Sequence, residues 1–124
     1  MNNWKEILLA SVAATAVLAG CATPSDVRST APALQINSDR PARNVAGCIA
    51  DRLEAQYKTG ISSRPTSGGY TVWKEDDAGI LGKITGMVFD VVESGSGSKV
   101  SLYTKGLLQS AADSAVYVAK SCST

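Results

Sequence analysis

Three cysteines, no histidine and one short acidic run are the residues from which this chain could build chemistry. The lack of histidine removes Ser-His-Asp and Cys-His nucleophile activation, the common zinc enzymes and imidazole pH switching. Carboxylates remain: Glu75-Asp76-Asp77 form a cluster, with Asp90 and Glu93 further along. A calcium loop needs oxygen ligands at alternating positions closed by a bidentate Glu, and this run lacks that spacing. Asp77 and Asp90 are the acids a carboxylate-dependent hydrolase would use, but a solvated hairpin turn explains the cluster more simply. Ser62-Ser63, Ser67 and the Ser-Gly stretch at 94–98 have no base to activate a hydroxyl. Gly79-Ile80-Leu81-Gly82 lacks the Gly-Lys-Ser/Thr ending of a phosphate loop. No metal and no cofactor are expected.

Cys21 follows a segment unlike the rest of the chain. A polar head at residues 1–6 carries Lys5 and Glu6, and residues 7–18 are 12 uncharged, mostly apolar residues. That is short of the about 20 needed to span a bilayer and within the about 7–15 of an export-signal core. Small residues then lead into Leu18-Ala19-Gly20-Cys21. This pattern resembles the lipobox of bacterial lipoproteins, and the resemblance covers residues 1–21 only. It implies diacylglyceryl transfer to the Cys21 thiol, cleavage of a signal peptide at 1–20, and acylation of the new amine, with palmitate-type chains. The alternative is an uncleaved N-terminal anchor with Cys21 as a plain thiol. At about 0.8 kcal/mol per buried methylene, three acyl chains make a firm attachment to the membrane. Ala22 rather than Asp follows the cysteine. In Gram-negative lipoproteins that resemblance implies the outer membrane with the domain facing the periplasm, and in a Gram-positive cell the outer face of the cell membrane.

Removing 20 of the 124 residues leaves enough chain for one domain, and 44% hydrophobic content is enough to form a core. The net charge is +1, and basic residues are scattered from Arg28 to Lys120 with only Arg40 and Arg43 close together, so nucleic acid is not expected as a partner. Ala22–Ser38 is rich in Ser, Thr, Ala and Pro, with Leu34 and Ile36 as its apolar anchors. It reads as a flexible tether that, with Cys21, spans residues 21–38 and a root-mean-square distance of roughly 20–25 Å.

The single domain, 39–124, reads as α-β-β-β-α. A first helix starts near Arg40-Pro41, carries Val45, Cys48, Ile49, Leu53 and Tyr57 on one face, and stops by Gly60. Residues 60–69 read as loop, Tyr70–Lys74 as a strand and Lys74–Gly79 as a turn. Leu81–Glu93 forms a longer strand, residues 94–98 a hairpin, and Lys99–Lys105 a third strand. A second helix, about Gly106–Cys122, presents Leu108, Ala111, Ala112, Ala115, Val116, Ala119 and Cys122. Glycines 79, 82 and 86 also fit the spacing of membrane helices, but Lys83, Asp90 and the β-branched run at 87–92 favour strand. The expected fold class is α+β, a three-stranded antiparallel meander with both helices on one face.

With Cys21 lipid-bearing, Cys48 and Cys122 remain, each on the apolar face of a helix in an exported chain. A bridge between them would close a loop of about 75 residues, worth about 4–5 kcal/mol as an entropic upper figure. Two separate buried thiols are the alternative, and no CxxC spacing points to a redox pair. Function is expected through a surface: a membrane-anchored, non-enzymatic module whose uncovered sheet face, carrying Trp73 or Tyr70 together with Tyr103, meets a protein or envelope partner. An inhibitor or immunity-type lipoprotein, or a carboxylate enzyme acting on envelope polymers, are the rival readings.

Overall fold

A computed structural model describes residues 23–124; the signal at 1–20, the lipobox Leu18–Cys21 and Ala22 lie outside the described residues. In chain order the elements are α1 (Pro24–Arg28), β1 (Leu34–Ser38), α2 (Ala42–Tyr57), β2 (Ile61–Thr66) and β3 (Gly69–Asp77). A 3-10 turn (Gly79–Leu81), β4 (Lys83–Ser94), β5 (Gly97–Thr104) and α3 (Gln109–Cys122) follow. The fold is α+β, with five antiparallel strands in the order β1-β5-β4-β3-β2.

The expected three-stranded meander is therefore the centre of a larger sheet. β2 occupies most of the expected loop at 60–69, and β3 runs on through the expected turn to Asp77. β2 pairs along its full length with β3, Ile61 opposite Lys74 and Thr66 opposite Gly69. The tether expected up to Ser38 is also corrected, because from Thr23 onward it belongs to the fold. Thr23 and Asp26 form a reciprocal capping box around Pro24 in the first turn of α1. Leu34 and Ile36 then pair with Leu102 and Val100 and pack against the core, while Gln35 and Asn37 face away from it. Gly97 must lack a side chain because a Cβ there would overlap the Ser38 carbonyl oxygen at the end of β1.

The core lies between one sheet face and the two long helices. Val72, Met87, Phe89, Val91, Val100 and Leu102 meet Val45, Ile49 and Leu53 of α2 and Ala115, Val118, Ala119 and Cys122 of α3. Leu108, expected on the buried face of α3, precedes the helix and is 78% exposed. Cys48 and Cys122 form a disulfide with Cα atoms 5.6 Å apart, stapling α2 to α3. A polar seam lies beside the staple: Ser38 Oγ donates to the Ser123 carbonyl at 2.7 Å and Arg40 Nη1 to the Cys122 carbonyl at 2.8 Å.

The helices do not all share one face. α1 packs across β4 and β5. Its Val27 and the Val88 of β4 are both fully buried, yet neither belongs to the main core cluster. Val88 alternates with Met87 and Phe89 along β4, so it points to the opposite side of the sheet. The N-terminal segment thus partly covers the face expected to be open.

Candidate binding surface

The strand registers decide which side chains share this second face. One row across the sheet reads Gln35, Ser101, Asp90, Thr71 and Arg64; the neighbouring row holds Tyr103, Val88, Trp73 and Ser62. Trp73 and Tyr103 therefore flank Val88 on the second face. Tyr70, expected as the alternative to Trp73, pairs with Val91 and packs against the main core. Period-two alternation requires this, since residues 70 and 73 cannot point the same way on one strand.

Two arginines organise the surface. From the end of α1, Arg28 donates from Nε to Asp90 Oδ2 at 2.7 Å and from Nη2 to Asp90 Oδ1 at 2.9 Å and Thr71 Oγ1 at 3.1 Å. Thr71 Oγ1 in turn donates to Asp90 Oδ1 at 2.8 Å, closing a ring of polar contacts. The fork geometry matches a carboxylate, and the Asp90 hydrogen bond raises the Arg28 pKa above its ordinary value. Arg64, from edge strand β2, lies 5.7 Å over the Trp73 ring, while the Trp73 indole N–H donates to Glu75 at 2.8 Å. Arg64 makes no ion pair among the described residues. Arg28, Arg64, Thr66, Tyr70, Thr71 and Asp90 border a depression of about 330 Å³ between α1 and β2.

The acids do not assemble. Asp90 is bound to Arg28, whereas Asp77 sits at the far end of the β3–β4 hairpin, where its Oδ1 accepts from the Gly79 N–H at 2.9 Å. Asp77 pairs with Lys83, and seven strand residues from Lys83 to Asp90 span about 23 Å. Glycosidase carboxylates stand about 5–9.5 Å apart. Glu75 and Asp76 pair with Lys83 and Lys74. Among the described residues no three His, Cys, Asp or Glu side chains gather as a metal site, and no helix is long and apolar enough to cross a membrane.

Sequence reasoning missed both arginines. Arg28 meets residues 43 and 62 positions away, from a segment whose composition is that of a linker. Arg64 lies in a strand whose Ser-Ser-Arg-Pro-Thr run shows no apolar alternation. A second arginine group, Arg40, Arg43 and Arg52, lines a depression on α2. Two of its members have structural partners, since Arg40 bonds the Cys122 carbonyl and Arg52 bonds Ser121 Oγ.

No family model, curated protein or solved structure matches the chain.

Proposed function

We propose that this chain is a lipid-anchored, non-enzymatic module of the bacterial envelope, attached through Cys21 and working by contact through the second face of its sheet. The observation that carries the reading is the Arg64–Trp73 stack beside the Arg28–Asp90 bridge. The bridge ties α1 to the sheet, whereas Arg64 lies outside the main core and makes no ion pair among the described residues, so stability alone does not require an arginine there. Contact with the Trp73 ring restrains the guanidinium without using its donors in an ion pair among the described residues, which suits it to a carboxylate or another acceptor-rich group. Arginine and tryptophan are also the residues most enriched among the few that dominate protein contacts. The partner that fits is a protein or envelope component with acidic groups, meeting a face that Tyr103, Gln35 and Lys99 extend.

A photoreactive residue at position 103 in the producing cell, compared with one at Glu54 on the exposed side of α2, tests this. Position 103 should yield a discrete adduct and position 54 none. Arg64→Glu should reduce the adduct by roughly tenfold or more, the loss expected when a contact worth about 1.4 kcal/mol disappears. Equal adducts at both positions would refute the assignment of the face. A cell-wall hydrolase activity abolished by Asp77→Asn or Asp90→Asn would refute the non-enzymatic reading.

A further inference from the structure

The β3–β4 hairpin ends in an apolar tip held by its own backbone. Asp77 Oδ1 accepts from the Gly79 N–H, the Ala78 N–H donates to the Gly82 carbonyl at 2.7 Å, and the Gly82 N–H donates to the Gly79 carbonyl at 3.0 Å. Gly79 and Gly82 adopt φ of +66° and +80°, a region that favours glycine, so the turn closes tightly. Between them Ile80 is fully exposed and Leu81 is 66% exposed. A single exposed aliphatic is ordinary, but two adjacent ones displayed by a tied turn are not explained by folding.

The position of this tip gives it a use. α1 begins toward the same end of the sheet: Arg28 at its end bonds Asp90, Val27 before it is buried on the face of Val88, and Asp26 before that feels the charge of Lys105, whose N–H bonds the Gly86 carbonyl on β4, three residues from the hairpin end at Lys83. Leu107 packs where a Cβ of Gly86 would lie, which brings exposed Leu108 to this end as well. Cys21 precedes Thr23 by two residues, at most about 7 Å of chain. With the supposed tether folded into the sheet, an anchor on Cys21 holds this end of the domain against the bilayer.

We propose that Ile80 and Leu81 form a wedge that enters the phospholipid interface and seats the domain on the membrane, an inference that rests on reading Cys21 as lipid-bearing. The hairpin and its neighbours carry Glu75, Asp76, Asp77 and Asp26 against Lys74, Lys83 and Lys105. Attraction to anionic headgroups therefore does not drive the contact. Apolar insertion does, and it persists on phosphatidylcholine and at high salt.

The test couples the chain from Cys21 to Thr124, which includes the whole described fold, to maleimide-lipid vesicles of phosphatidylcholine. The Cys21 thiol is the reactive group, because Cys48 and Cys122 are joined. In Ile80→Trp protein the introduced indole should shift to the blue and lose about half its emission in vesicles of brominated phosphatidylcholine, as expected for residues seated about 5–10 Å into the interface. Parent protein, reporting through Trp73, should change little. Ile80→Asp with Leu81→Asp should release a co-introduced Leu108→Trp reporter from quenching and leave the thermal transition unmoved. A water-like, unquenched indole on coupled vesicles would overturn the wedge. A blue shift that follows protein concentration without vesicles would overturn it in favour of a contact between copies. Insertion by the coupled chain, with native protein lacking acyl mass, would overturn the anchor reading while supporting the wedge itself.

Discussion

Val27→Ala separates a folded N-terminal segment from a flexible one. The Val27 side chain is fully buried on the second face of the sheet, carried by a helix that rests on β4 and β5. The substitution removes two methyl groups, about 1.6 kcal/mol in transfer free energy at about 0.8 kcal/mol each. The vacated space adds a cavity contribution, bringing the expected loss to about 2 kcal/mol, between the usual costs of Ile→Val and Leu→Ala. Urea unfolding of the chain from Cys21 to Thr124, with the disulfide intact, should show a lower midpoint at unchanged slope. The thermal midpoint should fall by roughly 10 °C for a domain of this size. A change within about 0.5 kcal/mol, the usual range for surface substitutions, would mean that residues 23–38 do not belong to the cooperative unit and would restore the tether.

Replacing Cys48 and Cys122 together by Ala should cost about 2–5 kcal/mol, and non-reducing peptide mapping should recover the two cysteines in one linked pair; free thiols at both positions would contradict this. The Thr23 backbone N–H and hydroxyl hold the Asp26 pKa below its ordinary 3.8. A depressed folded-state pKa gives stability that is present above 3.8 and is lost as pH falls through the folded value. Hydrogen-exchange protection in α1 should therefore weaken on acidification below about pH 4 and do so less in Asp26→Asn, while identical pH profiles for the two proteins would refute the cap. Arg28→Met should loosen α1 and leave Asp90 with the Thr71 hydroxyl as its one remaining side-chain donor among the described residues. A double cycle with Asp90→Asn should return a coupling of about 1 kcal/mol for this part-exposed bridge, and a coupling near zero would mean that it orders nothing.

The two long helices and their disulfide were legible because Val45, Ile49 and Leu53 recur at helical spacing and both cysteines fall on buried faces. Strands β3 to β5 were legible through β-branched and aromatic residues. β2 was not: it is an edge strand in which Ile61 alone packs against the core, and Pro65 lacks an N–H where no ladder partner lies beyond it. The N-terminal segment was missed although Thr23-Pro24-Ser25-Asp26 has the spacing of a cap, because its Ser, Thr and Pro content also describes a linker. A second signal was present in β4, where the nearly continuous apolar run Met87–Val92 suits a strand covered on both faces rather than one. Within the surface, alternation separates Tyr70 from Trp73, and the registers through Val88 then place Trp73 beside Tyr103. Arg28 and Arg64 follow only from registers that join residues far apart in sequence.

The placement of the domain at the envelope rests on the attachment at Cys21. Intact-mass analysis of protein extracted from the membranes of the producing cell tests this most directly. The mature chain should begin at Cys21 and carry acyl mass there, with Cys21→Ser yielding no acylated species. A mature chain without acyl mass, or one beginning at any other residue, would contradict it.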